Sequence, residues 1–226
     1  MLKLEDLYDI AGWEWEDLFD GVTYPWEVLP KIEAYICRTL QPKNLGQLVG
    51  QPFIGVDVQI GAGTIIEHGA VIYGPTIIGE NCVIRAGAYI RGWVLIGNQV
   101  VVGNSSEIKN AVVMDQTAIA HFNYVGDSIL GFRSHLGAGA ILSNLKIPVG
   151  EIVIQTLEGA FPTGLTKCGA FVGDDCEIGC NSVLNPGSIV GQGSTIYPLT
   201  SFRGVVGPQS IVKTKQRQET VIKQQR

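Results

Sequence analysis

The chain has 226 residues, of which 46% are hydrophobic, only 16% are charged and 29 are glycine. That size suits one large domain with a small appendage, and the glycine-rich, charge-poor mix suits a turn-rich β protein better than a helical one. A net charge of −5 gives no general attraction to nucleic acid or anionic membrane, and no apolar run approaches the roughly 18 residues that a spanning helix needs.

Residues 1–47 hold three of the four tryptophans, Trp13, Trp15 and Trp26, and a run of acids from Glu5 to Asp20. The opening MLKLEDLYDI is acidic and interrupted, unlike a secretory signal, so a cytoplasmic protein is expected. LEDLYDIAGWEWEDLF and PWEVLPKIEAYICRTL read as two helices, with Pro25 suited to the first turn of the second. Such helices are expected to cap an open end of the structure that follows and to hide its unpaired strand edges.

From residue 48 to 212 a period of six takes over. Residues 54–107 divide into IGVDVQ, IGAGTI, IEHGAV, IYGPTI, IGENCV, IRAGAY, IRGWVL, IGNQVV and VGNSSE. The first position is always Ile or Val, and the fifth is often small or β-branched, as at Thr64, Ala70, Cys82, Ala88 and Ser106. The pattern returns at 172–201. A period of six fits neither a helix nor a long alternating strand; it is the signature of a β-solenoid. Each six makes a short strand and a turn, with the aliphatic residue inward and the small one in the corner. Three sixes close a coil, and coils stack about 4.8 Å apart.

The stretch 145–167 interrupts the repeat and must leave the solenoid at a corner; loops of this kind often carry function. The tail, 213–226, is basic, with Lys213, Lys215, Arg217, Lys223 and Arg226. None of the five cysteines (Cys37, Cys82, Cys168, Cys176, Cys180) forms a CxxC pair, so reduced thiols and no structural zinc are expected. Cys82 and Cys176 fall on the small inward position.

Stacking brings chemistry together. Arg91 and Lys109 are 18 residues apart, one above the other, and two such cations repel unless an anion lies beside them. The spacing shortens to five between Ile108 and Val113 and again between Val125 and Leu130. In that frame His121 heads a column continued by Ala138, Cys180 and Pro198, along which a long thin ligand could lie. Asn144 and Lys167 bracket the insertion, and Tyr124 follows His121 by three. Taken singly, these are solvated surface residues and a turn histidine; their convergence points to a site.

VGNSSEIKNAVVMDQTAIAHFNYVGDSILGFRSHLGAGAILSN resembles the acetyltransferase domain of the bifunctional enzyme that makes UDP-N-acetylglucosamine, and its archaeal relatives. The likeness covers about 54–210. It implies a left-handed parallel β-helix, acetyl-CoA as co-substrate with no metal, a homotrimer with sites between subunits, and N-acetylation of glucosamine- or galactosamine-1-phosphate. It further implies His121 as general base, Arg91, Lys109 and Lys167 on the phosphate, and Tyr124 and Asn144 on the sugar. Ala138, Cys180 and Pro198 would line the acetyl-CoA groove, Cys180 without acting as a nucleophile. His135 stands where relatives often place a sugar-contacting Asn, which leaves the acceptor open, another amino sugar included. Residues 1–47 have neither the length nor the glycine-rich loop of a nucleotidyl-transferring domain, so no synthesis of nucleotide sugars is expected. Two rivals are a zinc-dependent carbonic anhydrase on the same solenoid, using His68, His121 and His135, and a non-catalytic trimer that binds sugar phosphates.

Overall fold

The structure, a computed structural model, describes residues 1–156, 158–215 and 218–222. From Lys43 to Val212 the chain winds as a parallel β-solenoid with three faces, the fold expected from the period of six. Each strand bonds the strand one coil before and one coil after. The first face stacks Val58, Thr76, Val94, Ala111 and Ser128. The second stacks Ile65, Val83, Val101, Ala118 and His135, and the third Val71, Tyr89, Glu107, Tyr124 and Ile141. On the third face the offset is 18 residues from Tyr89 to Glu107, then 17 to Tyr124 and 17 to Ile141.

The two shortened units cause that change. There the chain passes from the third face to the first as continuous strands, Glu107–Val113 and Tyr124–Leu130, whereas elsewhere a turn separates the faces. Inside the coils, the first-position residues from Ile60 through Ile196 form one buried aliphatic core. The small positions bond across the corners: Thr64 Oγ1 donates to Gly79 O at 2.7 Å and Cys82 Sγ to Gly97 O at 3.0 Å.

The N-terminal segment differs from the two helices expected. Three 3₁₀ segments, Leu4–Asp6, Glu16–Phe19 and Pro25–Lys31, precede a single α-helix, Ile32–Thr39. Gly12 at φ +76° breaks the first stretch. In the second, Pro30 has no N–H to give, so regular α-helix begins only after it. The segment also lies elsewhere than over an open end. It packs along the first face, against the outward residues Ile77, Leu95, Val112, Ile129, Phe171 and Ile189. Two corner carboxylates pin it there. Asp115 accepts the Trp13 indole N–H at 2.9 Å, and Asp174 accepts the Asp9 and Phe132 backbone N–H groups, each at 2.9 Å.

The insertion leaves between Leu142 on the third face and Ala170 on the first. It forms an antiparallel hairpin, Val153–Thr156 with Gly159–Pro162. Ile152 and Ile154 are buried in the same apolar cluster as the N-terminal segment, and Phe161 meets Tyr24 edge-on at 5.9 Å. Insertion and N-terminus thus form one sheath over the first face. Of the expected basic tail, Arg217, Lys223 and Arg226 lie outside the described residues.

The sheath makes the outward side of the first face part of the core. Phe171→Ala is therefore expected to cost about 3–5 kcal/mol by chemical denaturation, since its ring is fully buried. A cost near zero would mean that the first face is bare.

Candidate functional site

The corner between the third and first faces gathers polar groups around one carboxylate. Asn110 and Asp127 occupy the corner positions of the two continuous strands, at φ +43° and +47°, a left-handed conformation in which Asn and Asp are enriched. Asp127 is buried. Its Oδ1 accepts Asn110 Nδ2 at 2.7 Å; its Oδ2 accepts Lys109 Nζ at 3.2 Å and also Asn144 Nδ2. Asn144 Oδ1 lies 3.4 Å from the Tyr124 hydroxyl.

One coil earlier on the same face, Arg91 donates to Glu107 at 2.7 Å, and its guanidinium lies 6.0 Å from the Tyr89 ring centroid. The two stacked cations are thus each matched by a carboxylate, which answers the repulsion that stacking alone would create. The hydrogen bond to Glu107 holds the Arg91 guanidinium still more firmly protonated. Burial raises the Tyr124 phenol, helped by the charges of Asp127 and Glu107 and opposed by Arg91, so the phenol keeps its proton and can donate.

The insertion returns beside this cluster. Cys168 N donates to Asn144 O at 3.0 Å and Gly169 N to Asp127 O at 2.7 Å, which places the exposed Lys167 next to the same corner.

His121 lies at the other edge of the third face, on the corner with the second. Its side chain is exposed and makes no hydrogen bond or ion pair among the described residues. Below it runs a backbone column: Gly139 N donates to His121 O, Asn181 N to Ala138 O and Leu199 N to Cys180 O, with Pro198 in the next coil. His135 lies on the second face, its Nδ1 2.8 Å from Glu177 Oε2. The structure therefore brings Arg91, Lys109, Tyr124, Asn144 and Lys167 to one region, and His121 with Ala138, Cys180 and Pro198 to another edge. His135 stands apart from both within its own chain.

The three histidines do not come together. His68 shares the column of His121 but sits three coils away, roughly 14 Å at the usual strand spacing, and accepts Gln51 N at 3.1 Å. Among the described residues, no group of three or more His, Cys, Asp or Glu could hold a metal ion. Asp127, Glu107 and Asn110 were not singled out from the sequence. The signal was available, because Asn110 and Asp127 fill the same place in the two shortened units, IKNAV and VGDSI.

A family model and three relatives match this chain. A family model described as the GMPPB C-terminal domain matches residues 72–157. The putative uncharacterized acetyltransferase YaiX of Escherichia coli (strain K12) is 34% identical over 171 residues, 74% of this chain and 74% of its own length. The bifunctional protein GlmU of Methanococcus vannielii is 34% identical over 194 residues. The bifunctional sugar-1-phosphate nucleotidylyltransferase/acetyltransferase of Sulfurisphaera tokodaii is 29% identical over 191. The matches cover 86% and 82% of this chain, which spans about half, 46%, of each of these two bifunctional relatives.

Burial separates the thiols. It pushes Cys168 up to about 12, with Asp127 adding to the effect, and Cys176 up to about 11; Cys82 is raised in the same way. Because the thiolate is the reactive form, these three are expected to resist a disulfide reagent in the native protein and to react once it is unfolded. Labelling of Cys168 at the rate of a small-molecule thiol would contradict the buried corner.

Proposed function

This chain belongs to the hexapeptide-repeat acetyltransferase family, and from that we propose that it moves an acetyl group from acetyl-CoA to the amine of an amino-sugar-1-phosphate, glucosamine-1-phosphate or galactosamine-1-phosphate. The observation that carries this reading is the convergence of Lys109, Tyr124 and Asn144 on the face whose edge bears His121.

The roles follow from chemistry. An ammonium group is no nucleophile, so the amine must lose a proton, and imidazole titrates close to neutral pH. The ammonium gives one proton to solvent, and His121 takes a second as the neutral amine nitrogen attacks the thioester carbonyl. The carbon–sulfur bond then breaks, the CoA sulfur leaves as thiolate, and the proton passes to it. Backbone N–H groups are suited to the oxyanion formed on the way. Arg91, Lys109 and Lys167 hold the phosphate, while Tyr124 and Asn144 hold the sugar. The column of Ala138, Cys180 and Pro198 carries acetyl-CoA towards His121, with Cys180 as a contact only.

The same reading takes the chain to be a homotrimer with sites between copies. The first face is closed by the chain's own sheath, whereas the third exposes Phe53, Tyr73 and Tyr89. Contacts between copies would also give a role to His135, which lies on a different face from the Asp127 cluster. No helix among the described residues is long and apolar enough to cross a membrane, and the net charge of −5 gives no general attraction to nucleic acid.

The test is thiol release from acetyl-CoA with each sugar phosphate offered separately. Turnover with one of them is expected, and His121→Ala should lower it by about 10²–10⁴-fold with little loss of binding. No release with either acceptor would sink the proposal, and an undiminished His121→Ala enzyme would remove the base. Lys109→Ala is expected mainly to raise the acceptor KM. Equal use of phosphate-free glucosamine by the unaltered enzyme would dismiss the phosphate clamp.

A further inference from the structure

Resting on the acceptor site proposed above, we infer that Asp127 is its positioning residue: one buried carboxylate that fixes Lys109 and Asn144 at once and ties the root of the insertion to them. The side chain is 7% exposed and its Lys109 partner 20%, so this pair is shielded from the solvent that weakens surface ion pairs. Three donors from three positions converge on two oxygens: Asn110 on Oδ1, and Lys109 and Asn144 on Oδ2. A carboxylate is the one side chain that accepts all three while offering no competing donor.

Each bond removes a freedom that the site cannot tolerate. Lys109 carries its ammonium on a flexible four-carbon stem. Held by Asp127, the ammonium keeps one location and still has two N–H groups for an anion. Asn144 could present either end of its amide. Because Asp127 only accepts, the NH₂ must turn towards it, which aims Oδ1 at the Tyr124 hydroxyl. The direction of the sugar-facing acceptor is therefore set by a residue that need not touch the sugar.

The backbone of Asp127 anchors the insertion. Its carbonyl accepts Gly169 N at 2.7 Å. A Cβ on Gly169 would lie 2.1 Å from both Gly126 O and Ser128 Oγ, so the returning chain comes as close as glycine permits. With Cys168 bonded to Asn144, both ends of the insertion meet at Asp127, and Lys167 arrives beside the phosphate ligands. The two shortened units are what make this possible, since they hold Asn110 and Asp127 at adjacent corners in the left-handed conformation.

Asp127→Asn in the full chain tests the assignment. Asparagine keeps the volume and tolerates φ +47°, so the fold should be kept, with the unfolding midpoint lowered by the loss of a shielded ion pair. It has one acceptor oxygen for three donors, so Lys109 and Asn144 come loose. The expected result is a fall of about 10²-fold in kcat/KM for glucosamine-1-phosphate or galactosamine-1-phosphate, whichever the parent uses, as for a misplaced binding group. The loss should fall on the acceptor KM and leave the acetyl-CoA KM unmoved. An unchanged acceptor KM overturns the inference, and so does an equal rise in both KM values. Asn110→Gly is the second variant: it suits φ +43°, takes one donor from Oδ1, and should move the acceptor KM in the same direction. A companion readout needs no substrate. Labelling of the Lys109 amine by acetic anhydride, followed by mass spectrometry, should accelerate in Asp127→Asn, and an unchanged rate counts against the ion pair. If the parent protein releases no thiol with any acceptor, the acetyltransferase reading fails while the labelling still judges Asp127.

Discussion

Backbone N–H and C=O groups of each coil bond to the coils on either side, so the neighbours of any residue are those one coil away in the chain. That offset is 18 residues where every unit has six members and 17 where one unit has five. Buried backbone groups cannot go unpaired without cost, so the ladder admits no drift. Side-chain columns inherit this order, which is why Arg91 lies over Lys109 and His121 over Ala138. The shortened units remove a turn and send a strand straight through the corner. They thereby place two left-handed residues, Asn110 and Asp127, where they can gather donors from several segments.

A solenoid with three apolar faces must dispose of each of them. Along the first face the strands read TII, VLI and SIL, with an apolar residue pointing outward between two inward ones. Those outward residues are buried because the N-terminal segment and the insertion hairpin lie over them. The same sheath occupies the flank, so neighbouring molecules are left the second and third faces. The candidate site sits on the third face and its edges, one of which is the corner shared with the flank that the chain has closed for itself. Fold, sheath and site are therefore one arrangement, each limiting where the next can be.

Much of the site was legible residue by residue, and less of it as a constellation. Counting sixes, and noticing the two fives, put Arg91 and Lys109 in one column and His121 in another. Spacing also placed Asn144 and Lys167 at the two ends of the insertion. What it did not disclose was the carboxylate between them. Asp127 did not stand out because its partners come from elsewhere in the chain, Lys109 and Asn110 from the coil before and Asn144 and Gly169 from the coil after. His135 illustrates the converse: it is near His121 in the chain and on a different face in space, bonded to Glu177.

The sequence alone determined the solenoid, because an aliphatic residue every six positions leaves one way to bury all of them. It also determined the stacking columns, since ladder bonding converts chain distance into height. Tertiary structure decided the course of residues 1–40, where Gly12 and Pro30 break helices that the apolar pattern would support and the outward stripe of the first face draws the segment to a flank. It alone decided the partners of Asp127 as well. Periodicity carries the height and face of a residue but not the rotamer or hydrogen-bond competition of its side chain, and those depend on what the neighbouring coils bring to the same corner.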